Sequence, residues 1–452
     1  MDLSMVSTIM TLAWPTMLEQ AMQTAVQYID TAMVGTLGTY ATAAVGATST
    51  VSWLIGSSTA ALGVGFLSYI ARSHGAGNRE DASRASAQSV LVTLITGLLF
   101  TGICLGLSGY VPVWMQVDPS IQNLCSKYFF ILYAAMLPRT ASTIFGMVLR
   151  SAGDTQSPMK IGIGVNLINV ALNFLLIYPT RTFHGILIPG AGLGVIGAAI
   201  ASAASFTFGG IAITIVLWRH PDISPKGRSL RPDPVILGPC LKVALPNMLQ
   251  RFGTSLGYVA FASMVNSLGE VATAAHTIAN TVESAFYIPG YGMQTAAATL
   301  VGNAYGARDG KRMKEISTMF LPIEVILMVI SGSALFLCAP LLMGLFSQNP
   351  EVIDLGSAVL RMVALSEPFY GVSIIVEGMM QGVGKTKTPF VYNILGMWGI
   401  RIVGTYICTQ LLGFGLVSAW GCMIGHNMLL FVLFLRCYMR GSWNPLLDGT
   451  QK

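Results

Sequence analysis

PTMLEQAMQTAVQYIDTAMVGTLG, residues Pro15–Gly38, returns 231 residues later as PNMLQRFGTSLGYVAFASMVNSLG, residues Pro246–Gly269. The same offset aligns the tetrapeptide ATAA at residues 41–44 with ATAA at residues 272–275. Both long stretches are mostly apolar, and each exceeds the roughly 20 residues that a helix needs to cross a bilayer. The chain is therefore predicted to contain two copies of one membrane-embedded unit.

The composition supports a membrane location. Hydrophobic residues make up 53% of the 452 positions and charged residues only 10%, against about 25% charged residues in soluble domains. The net charge of +6 is small for so long a chain, so we expect no nucleic-acid partner. The predicted partner is the lipid bilayer, and we expect an integral membrane protein that functions as a monomer.

Apolar runs long enough for a transmembrane helix occur twelve times. This length favours helices over barrel strands, whose side chains alternate between lipid and lumen. The fold class is predicted as all-α, with twelve transmembrane helices in two pseudo-symmetric six-helix lobes. The predicted spans are 8–34, 43–70, 86–113, 126–150, 157–179, 190–218, 240–267, 272–303, 317–346, 354–381, 388–411 and 415–438.

Basic residues predict the orientation. Nineteen of the 25 Lys and Arg residues fall in the loops after even-numbered spans or in the C-terminal tail. Cytoplasmic loops carry this excess, so both termini are predicted to lie in the cytoplasm, with the protein in the cell (inner) membrane.

The polar stretch between the sixth and seventh spans nearly bisects the chain. We predict an N-terminal lobe at 1–218, a cytoplasmic linker at 219–239 and a C-terminal lobe at 240–452. After the fifth span the repeat offset falls to 221, so the first half holds about ten extra residues near Tyr178–Pro189. Six spans per copy make the two copies parallel, an arrangement typical of transporters.

Polar side chains form a stripe on the first span. Thr16, Glu19, Gln23, Gln27 and Asp30 lie within roughly 80° of one another on a helix of about 100° per residue. Ionisable groups at membrane depth are functional candidates, although these side chains could also only bond neighbouring helices. Pro15 predicts either a bendable or a static kink in this helix.

The fifth span has a similar face formed by Asn166, Asn169 and Asn173. Two spans of the second half carry further polar faces. The face of span eight is formed by His276, Asn280, Glu283 and Tyr287, and that of span ten by Ser366, Tyr370, Ser373, Glu377 and Gln381. His276 is expected to cap the outer end of its span, and Glu324 to be structural. We expect three intramembrane arginines to neutralise buried carboxylates, namely Arg139, Arg251 and Arg401.

Ordered motifs in both halves resemble the multidrug and toxic compound extrusion (MATE) family. They are the two long stretches quoted above, TLVGNAYGA at 299–307, LRSAGDTQSP at 149–158 and MQGVGKTKTP at 380–389. The resemblance covers nearly the whole chain. It implies a V-shaped, two-lobed antiporter that expels organic cations in exchange for sodium ions or protons.

The resemblance also implies roles for individual residues. Asp30 matches the family's first-helix cation-binding aspartate, and Asn169 with Asn173 matches its fifth-helix polar pair. Some branches have an aspartate in place of Asn173, and some a glutamate near Thr254. We assign cation coupling to Asp30, Asn169, Asn173 and Glu19, and substrate binding to Gln23, Gln27, Glu283, Tyr287, Tyr370 and Glu377.

Secondary active efflux of a small cationic or amphipathic organic substrate is the leading hypothesis, with no cofactor beyond the coupling ion, H⁺ or Na⁺. The Asp30 carboxylate with the amide oxygens of Asn169 and Asn173 is a possible sodium site. A hard cation such as sodium requires several oxygen ligands with enough negative charge. This site offers only one formal negative charge, which favours protons as the coupling ion. A lipid-linked oligosaccharide flippase is the alternative, disfavoured because buried acids outnumber buried bases. A membrane-embedded enzyme is disfavoured because no intramembrane metal cluster or GxSxG-like nucleophile is found.

Overall fold

The computed structural model describes residues 3–448, which are almost entirely helical. The elements of the first half are α1 (Leu3–Gly35), α2 (Thr39–Gly75), α3 (Arg79–Leu107), α4 (Val111–Trp114), α5 (Gln122–Ala134), α6 (Met136–Ser151), α7 (Gln156–Leu176), β1 (Pro179–Phe183), β2 (Ile186–Ala191) and α8 (Val195–Arg219). Those of the second half are α9 (Pro234–Asn266), α10 (Glu270–Phe286), α11 (Ile288–Gly306), α12 (Gly310–Phe346), α13 (Pro350–Gly382), α14 (Lys387–Ile394), π-helix π1 (Leu395–Ile402), α15 (Val403–Thr405), π-helix π2 (Tyr406–Leu411), α16 (Leu416–Arg440) and α17 (Pro445–Asp448).

The predicted all-α membrane fold is confirmed. Within residues 3–448, each of the twelve predicted spans coincides with one helix or with consecutive helical segments, six spans in each half. Seven described helices are individually long and apolar enough to cross a membrane, or eight counting α5 and α6, which meet at 48°, as one span. The remaining spans are interrupted, as in α10 and α11, or carry polar faces, as in α1 and α9.

Two predicted span boundaries are wrong. The third helix ends at Leu107 rather than at residue 113, and the sixth begins at Val195 rather than at residue 190. The residues before Val195 form an antiparallel hairpin of β1 and β2. Its turn contains His184 and Gly185 with φ of 49° and 79°, values that glycine adopts without a steric penalty. The ten extra residues of the first half thus build an exposed hairpin.

Pro15 and Pro289 differ in their structural settings. α1 continues through Pro15, whereas the second span of the second half is broken at Tyr287, between α10 and α11. Pro289 lies in the first turn of α11, where the backbone N–H that proline lacks has no intrahelical partner. The break therefore places Pro289 at a position that tolerates it.

The described chain forms two compact units. Within residues 3–448, the N-terminal unit contains residues 18–66 and 78–240, and the C-terminal unit contains residues 3–17, 67–77 and 241–448. The N-terminal unit packs a core that includes α1, α2, α3, α5 and α8 side chains, and Phe129 and Tyr133 are among its fully buried members. The C-terminal unit packs two apolar clusters, one around Phe320 and Phe434 and one around Trp420. Each polar site below belongs to one unit.

The polar segment after α8 is fixed to the N-terminal unit. Gln88 of α3 donates to the carbonyl oxygen of Arg231 at 2.8 Å and accepts from the backbone N–H of Asp233 at 3.1 Å. The Arg84 guanidinium pairs with the Asp233 carboxylate at 2.6 Å. This part of the predicted linker is therefore an ordered segment that packs on α3.

Candidate functional site

The structure brings together three of the predicted coupling residues. Asn169 Nδ2 donates to Asp30 Oδ2 at 2.6 Å, and Asn173 Nδ2 donates to Asp30 Oδ1 at 2.5 Å. The two asparagines are four residues apart on α7, which places them on one face of the helix. Each oxygen of the carboxylate therefore has its own amide donor.

The side chains around Asp30 are polar and mostly buried. Asn169 and Asn173 are buried, whereas Asp30 is half-buried. The Oδ1 atoms of both asparagines have no hydrogen-bond partner among the described residues. Tyr128 of α5, which is also buried, lies close enough to Asp30 for an electrostatic interaction. The site thus contains one carboxylate, two amides that donate to it and a nearby phenol.

Glu19 lies at a different place on α1. Its carboxylate pairs with the Arg150 guanidinium of α6 at 2.5 Å, with both side chains almost completely buried. Glu19 also contacts Gly162 of α7, where an added Cβ would meet the carboxylate at 3.2 Å. Eleven residues of helix, about 16 Å at 1.5 Å per residue, separate Glu19 from Asp30. The structure therefore does not bring Glu19 to the Asp30 site, and its coupling role stays a prediction.

Two glutamines lie between these acids along α1. Gln23 and Gln27 are exposed in the structure. By helical geometry they share the side of α1 that carries Asp30. Their assignment to substrate binding stays a prediction.

Glu377 of α13 is held by polar neighbours of the C-terminal unit. Gln250 Nε2 of α9 donates to Glu377 Oε1 at 2.7 Å. Arg251 and Asn393 also interact with this carboxylate, although Arg251 Nε donates to Asn247 Oδ1, at 2.8 Å. Glu377 is thus surrounded by donors.

Aromatic side chains cluster beside the break between α10 and α11. The Tyr287 ring makes edge contacts with the rings of Tyr291 and Tyr370, at centroid distances of 5.6 and 6.2 Å. The hydroxyl groups of Tyr291 and Tyr370 are 2.7 Å apart. We call Tyr287, Tyr291 and Tyr370 the tyrosine cluster. Aromatic faces arranged in this way attract organic cations.

Glu283 of α10 contacts a second acid. Its carboxyl group lies within hydrogen-bonding reach of Glu367 on α13, and both side chains are buried. Glu283 is also one helical turn from Tyr287 of the tyrosine cluster. Two acids from neighbouring helices therefore meet next to the aromatic rings.

Two of the three intramembrane arginines, Arg251 and Arg401, interact electrostatically with buried carboxylates, those of Glu377 and Glu283, but none of the three forms a direct ion pair among the described residues. None of the ion pairs within residues 3–448 includes Arg139, Arg251 or Arg401. Arg139 instead lies 4.8 Å from the centroid of the Phe206 ring. Arg401 lies over the rings of Tyr258 and Phe261, and it interacts with Glu283 only electrostatically. Aromatic faces stabilise these cations without direct contact to an anion.

His276 does not cap its helix by a backbone contact. Its Nδ1 accepts a hydrogen bond from Trp420 Nε1 at 3.1 Å, and its ring makes an edge contact with Phe261. Glu324 is fully buried, and neither of its carboxyl oxygens has a hydrogen-bond partner. No group of three or more His, Cys, Asp or Glu side chains in the described part of the chain could hold a metal ion.

Sequence reasoning did not assign three residues that the structure places at these sites. Arg150 is one of the basic residues that predict the cytoplasmic loops, and Tyr128 has only apolar residues three and four positions before and after it in the sequence. Glu367 is an intramembrane acid three residues before Tyr370, but the sequence does not indicate which helix it faces. Only the packing of α13 against α10 brings Glu367 to Glu283.

Comparisons with known proteins agree with the internal repeat and with the fold. The family model MatE matches residues 15–175 and residues 246–407, and the two matches start 231 residues apart (246 − 15), as the internal repeat does. The chain is 25% identical over 432 residues to "Probable multidrug resistance protein NorM" of Thermotoga maritima, covering 96% of this chain and 92% of that protein. It is 24% identical to "Probable multidrug resistance protein YoeA" of Bacillus subtilis over 429 residues, covering 94% and 90%.

Solved structures have the same fold. A MOP superfamily transporter from Pyrococcus furiosus, for which a reversed polarity of the binding pocket suggests a different function, superposes with a TM-score of 0.88 at 26% identity, covering 96% of this chain and 95% of that one. An outward-facing multidrug resistance MATE family transporter of the MOP superfamily superposes with a TM-score of 0.89 at 25% identity, covering 98% and 96%.

Proposed function

Because the chain belongs to the MatE family and is a multi-pass membrane transporter, not an enzyme, we propose that it is a secondary active antiporter that exports small organic cations in exchange for protons. The observation that carries this proposal is the Asp30 carboxylate held by two amide donors of α7. A carboxylate at membrane depth is expensive to retain unless it serves transport. We assign it the coupling ion.

Protons fit this site better than sodium ions do. Both asparagines direct their nitrogens at Asp30, and their oxygens point elsewhere. A sodium site requires several oxygen ligands around the ion, and here the carboxylate is the one charged oxygen group. A proton requires only one oxygen of Asp30, so proton binding needs no rearrangement of α7 to supply ligands.

We place organic-cation binding at the tyrosine cluster with Glu283 and Glu377. Glu283 supplies negative charge beside Tyr287, and the rings supply faces for an aromatic cation. Glu377 contributes less charge to the substrate, because Gln250 and the nearby Arg251 already engage it. Gln23 and Gln27 remain candidates for polar contacts with substrate.

The orientation follows from the basic loops. We propose that the protein lies in the inner membrane of the cell. Both termini and the linker then face the cytoplasm, in line with the positive-inside rule. The lobes are proposed as 1–218 and 240–452, joined by 219–239, and the working unit is a monomer.

The test is ethidium efflux from vesicles that contain the purified full chain. With the membrane potential clamped, an outside-acidic pH gradient should drive efflux against an ethidium gradient, and an inward sodium gradient at equal pH should not. Vesicles with Asp30→Asn define the uncoupled background. Robust uphill efflux with sodium alone would overturn proton coupling and assign sodium to Asp30, Asn169 and Asn173. Failure of both gradients would overturn antiport of this cation.

A further inference from the structure

Two buried acids of the C-terminal unit form a site that the proposed function does not use for ion coupling. We propose that Glu283 and Glu367 share one exchangeable proton, forming a proton-binding site in addition to Asp30. Their carboxyl groups meet between α10 and α13. Glu367 is 1% exposed, so the contact is shielded from water.

The contact itself requires a proton. No N–H or O–H of the described residues donates a hydrogen bond of normal geometry to either oxygen of Glu367. An ionised carboxylate has lone pairs but no hydrogen to donate, so two ionised carboxylates cannot bond each other. In a site shielded from water, two adjacent negative charges also repel strongly, and one proton shared by the pair relieves this. The pair then carries one negative charge.

Arg401 supplies the opposite charge without taking the place of the proton. Its side chain is 4% exposed, and its guanidinium stacks over the rings of Tyr258 and Phe261 at 5.1 and 5.5 Å. Its Nε has no hydrogen-bond partner, and its charge interacts with Glu283 across a gap rather than in an ion pair. One arginine and a singly protonated acid pair together are neutral, which a buried site favours.

Other titratable groups packed around the pair leave this balance unchanged. His276 of α10 accepts a hydrogen bond at Nδ1, so that nitrogen carries no proton and the ring is neutral. His426 of α16 is buried near Arg401 with both ring nitrogens unpartnered, a setting that favours the neutral ring. Tyr258 and Tyr287 present phenols. From α12, Gly332 packs against the Cβ of Glu367, at 3.4 Å from where a Cβ would stand.

The backbone that carries Arg401 is also unusual. Arg401 lies on the π-helix π1, and π-helical turns occur frequently at functional sites because they change the direction of a side chain. The α10 helix ends three residues after Glu283, at the break before α11. Both sides of the acid pair thus border irregular helix.

Release of the shared proton would give the pair a second negative charge one turn from the tyrosine cluster. An organic cation bound there would then favour the deprotonated pair, and a proton would favour cation release. This consequence rests on the proposed function, because it places the cation at Tyr287. Proton sharing by the pair does not depend on it, and it can be tested without transport.

The test is infrared difference spectroscopy of the purified full chain in lipid, recorded between acidic and alkaline pH. We expect one protonated-carboxyl C=O band, with the intensity of one group, that is lost in Glu283→Gln and equally lost in Glu367→Gln. The double variant should lose no more than either single variant, because the two residues share one proton. Asp30→Asn and the matched buried control Glu324→Gln should both retain this band.

Additive losses in the double variant, or retention of the band in either single variant, would overturn the pair. If a Gln variant does not fold, Glu283→Asp and Glu367→Asp keep a carboxyl group in place and should retain the band with a shifted frequency. An unshifted band in both Asp variants would equally overturn the proposal. Loss of ethidium efflux with an intact, non-additive band would contradict the proposed function and leave the acid pair supported.

Discussion

The two halves of the chain place different chemistry on equivalent helices. Asp30 and Asn169 of the N-terminal unit correspond, at the offset of 231, to Phe261 and Ile400 of the C-terminal unit. In the first half these positions hold an anion bound by an amide. In the second half, Arg401 lies next to Ile400, and its guanidinium stacks over Phe261. The same two helices thus meet around a negative charge in one half and a positive charge in the other.

A second pair of contacts repeats with altered chemistry. Glu19 corresponds to Gln250, and each contacts the fourth span of its own half: Glu19 pairs with Arg150, and Gln250 donates to Glu377. The second spans behave in the same way. Ser52, the equivalent of Glu283, accepts a hydrogen bond from Tyr133 of the fourth span at 2.5 Å. Duplication has kept the helix contacts, whereas the charge at each contact has changed independently.

The helix breaks also differ between the halves. In the first half the second span is the continuous α2, and the fourth is bent by 48° between α5 and α6. In the second half the second span is broken between α10 and α11, and the fourth is the continuous α13. The irregular backbone of the second half thus lies beside its acid pair and tyrosine cluster, whereas Asp30 lies on an unbroken helix. We infer that the two polar sites serve different steps of transport.

The largest expected effect concerns Asp30, whose equivalent in the second half is the uncharged Phe261. Asp30→Asn should reduce proton-driven ethidium efflux to the level of protein-free vesicles, because an amide cannot exchange a proton near neutral pH. The matched control is Ile400→Leu, at the position equivalent to Asn169, which should keep wild-type efflux. Wild-type efflux by a well-folded Asp30→Asn protein would remove the functional difference between the halves.

The next effect concerns the buried ion pair. Arg150→Met should lower the free energy of unfolding by about 3 to 5 kcal/mol, because it leaves the Glu19 charge buried without its partner. Denaturant titration of the purified protein in detergent measures this loss. The double variant Arg150→Met, Glu19→Gln should recover most of it. A loss below about 1 kcal/mol would place this pair among weak surface-like ion pairs.

Much of the fold could be predicted from sequence, because hydrophobic length and an internal repeat are properties of the chain itself. The spacing of Asn169 and Asn173 predicted one helix face, and the structure directs that face at Asp30. Pairings such as Glu283 with Glu367 could not be predicted in this way, since helix periodicity fixes the direction of a side chain and not the neighbouring helix. The hairpin was not predicted because its second strand, Ile186–Ala191, leads into the apolar residues of α8 and shows no boundary in the sequence.

A smaller effect is expected in the tyrosine cluster. Tyr370→Ala should weaken equilibrium binding of ethidium about tenfold, because cation–π contacts in desolvated sites contribute about 1 to 2 kcal/mol. Tyr370→Phe keeps the ring and loses only the hydroxyl contact to Tyr291, so it should bind nearly as wild type does. Fluorescence titration measures both affinities. Equal affinity of the Ala variant and the wild type would place the substrate away from this cluster.

The smallest effect is expected at the second-half counterpart of Glu19. Gln250→Leu removes one hydrogen bond to Glu377 and should lower the free energy of unfolding by about 1 kcal/mol, the usual net value of such a bond. Two features limit the loss: Arg251 and Asn393 still interact with Glu377, and the substitution also removes the buried, unpartnered Oε1 of Gln250. Glu19→Leu at the equivalent position removes the carboxylate that pairs with the Arg150 guanidinium, so it should cost about 3 to 5 kcal/mol in the same denaturant titration. Equal losses in the two variants would mean that helix packing, rather than charge, dominates both contacts, and the two halves would then differ in composition without differing in energetics.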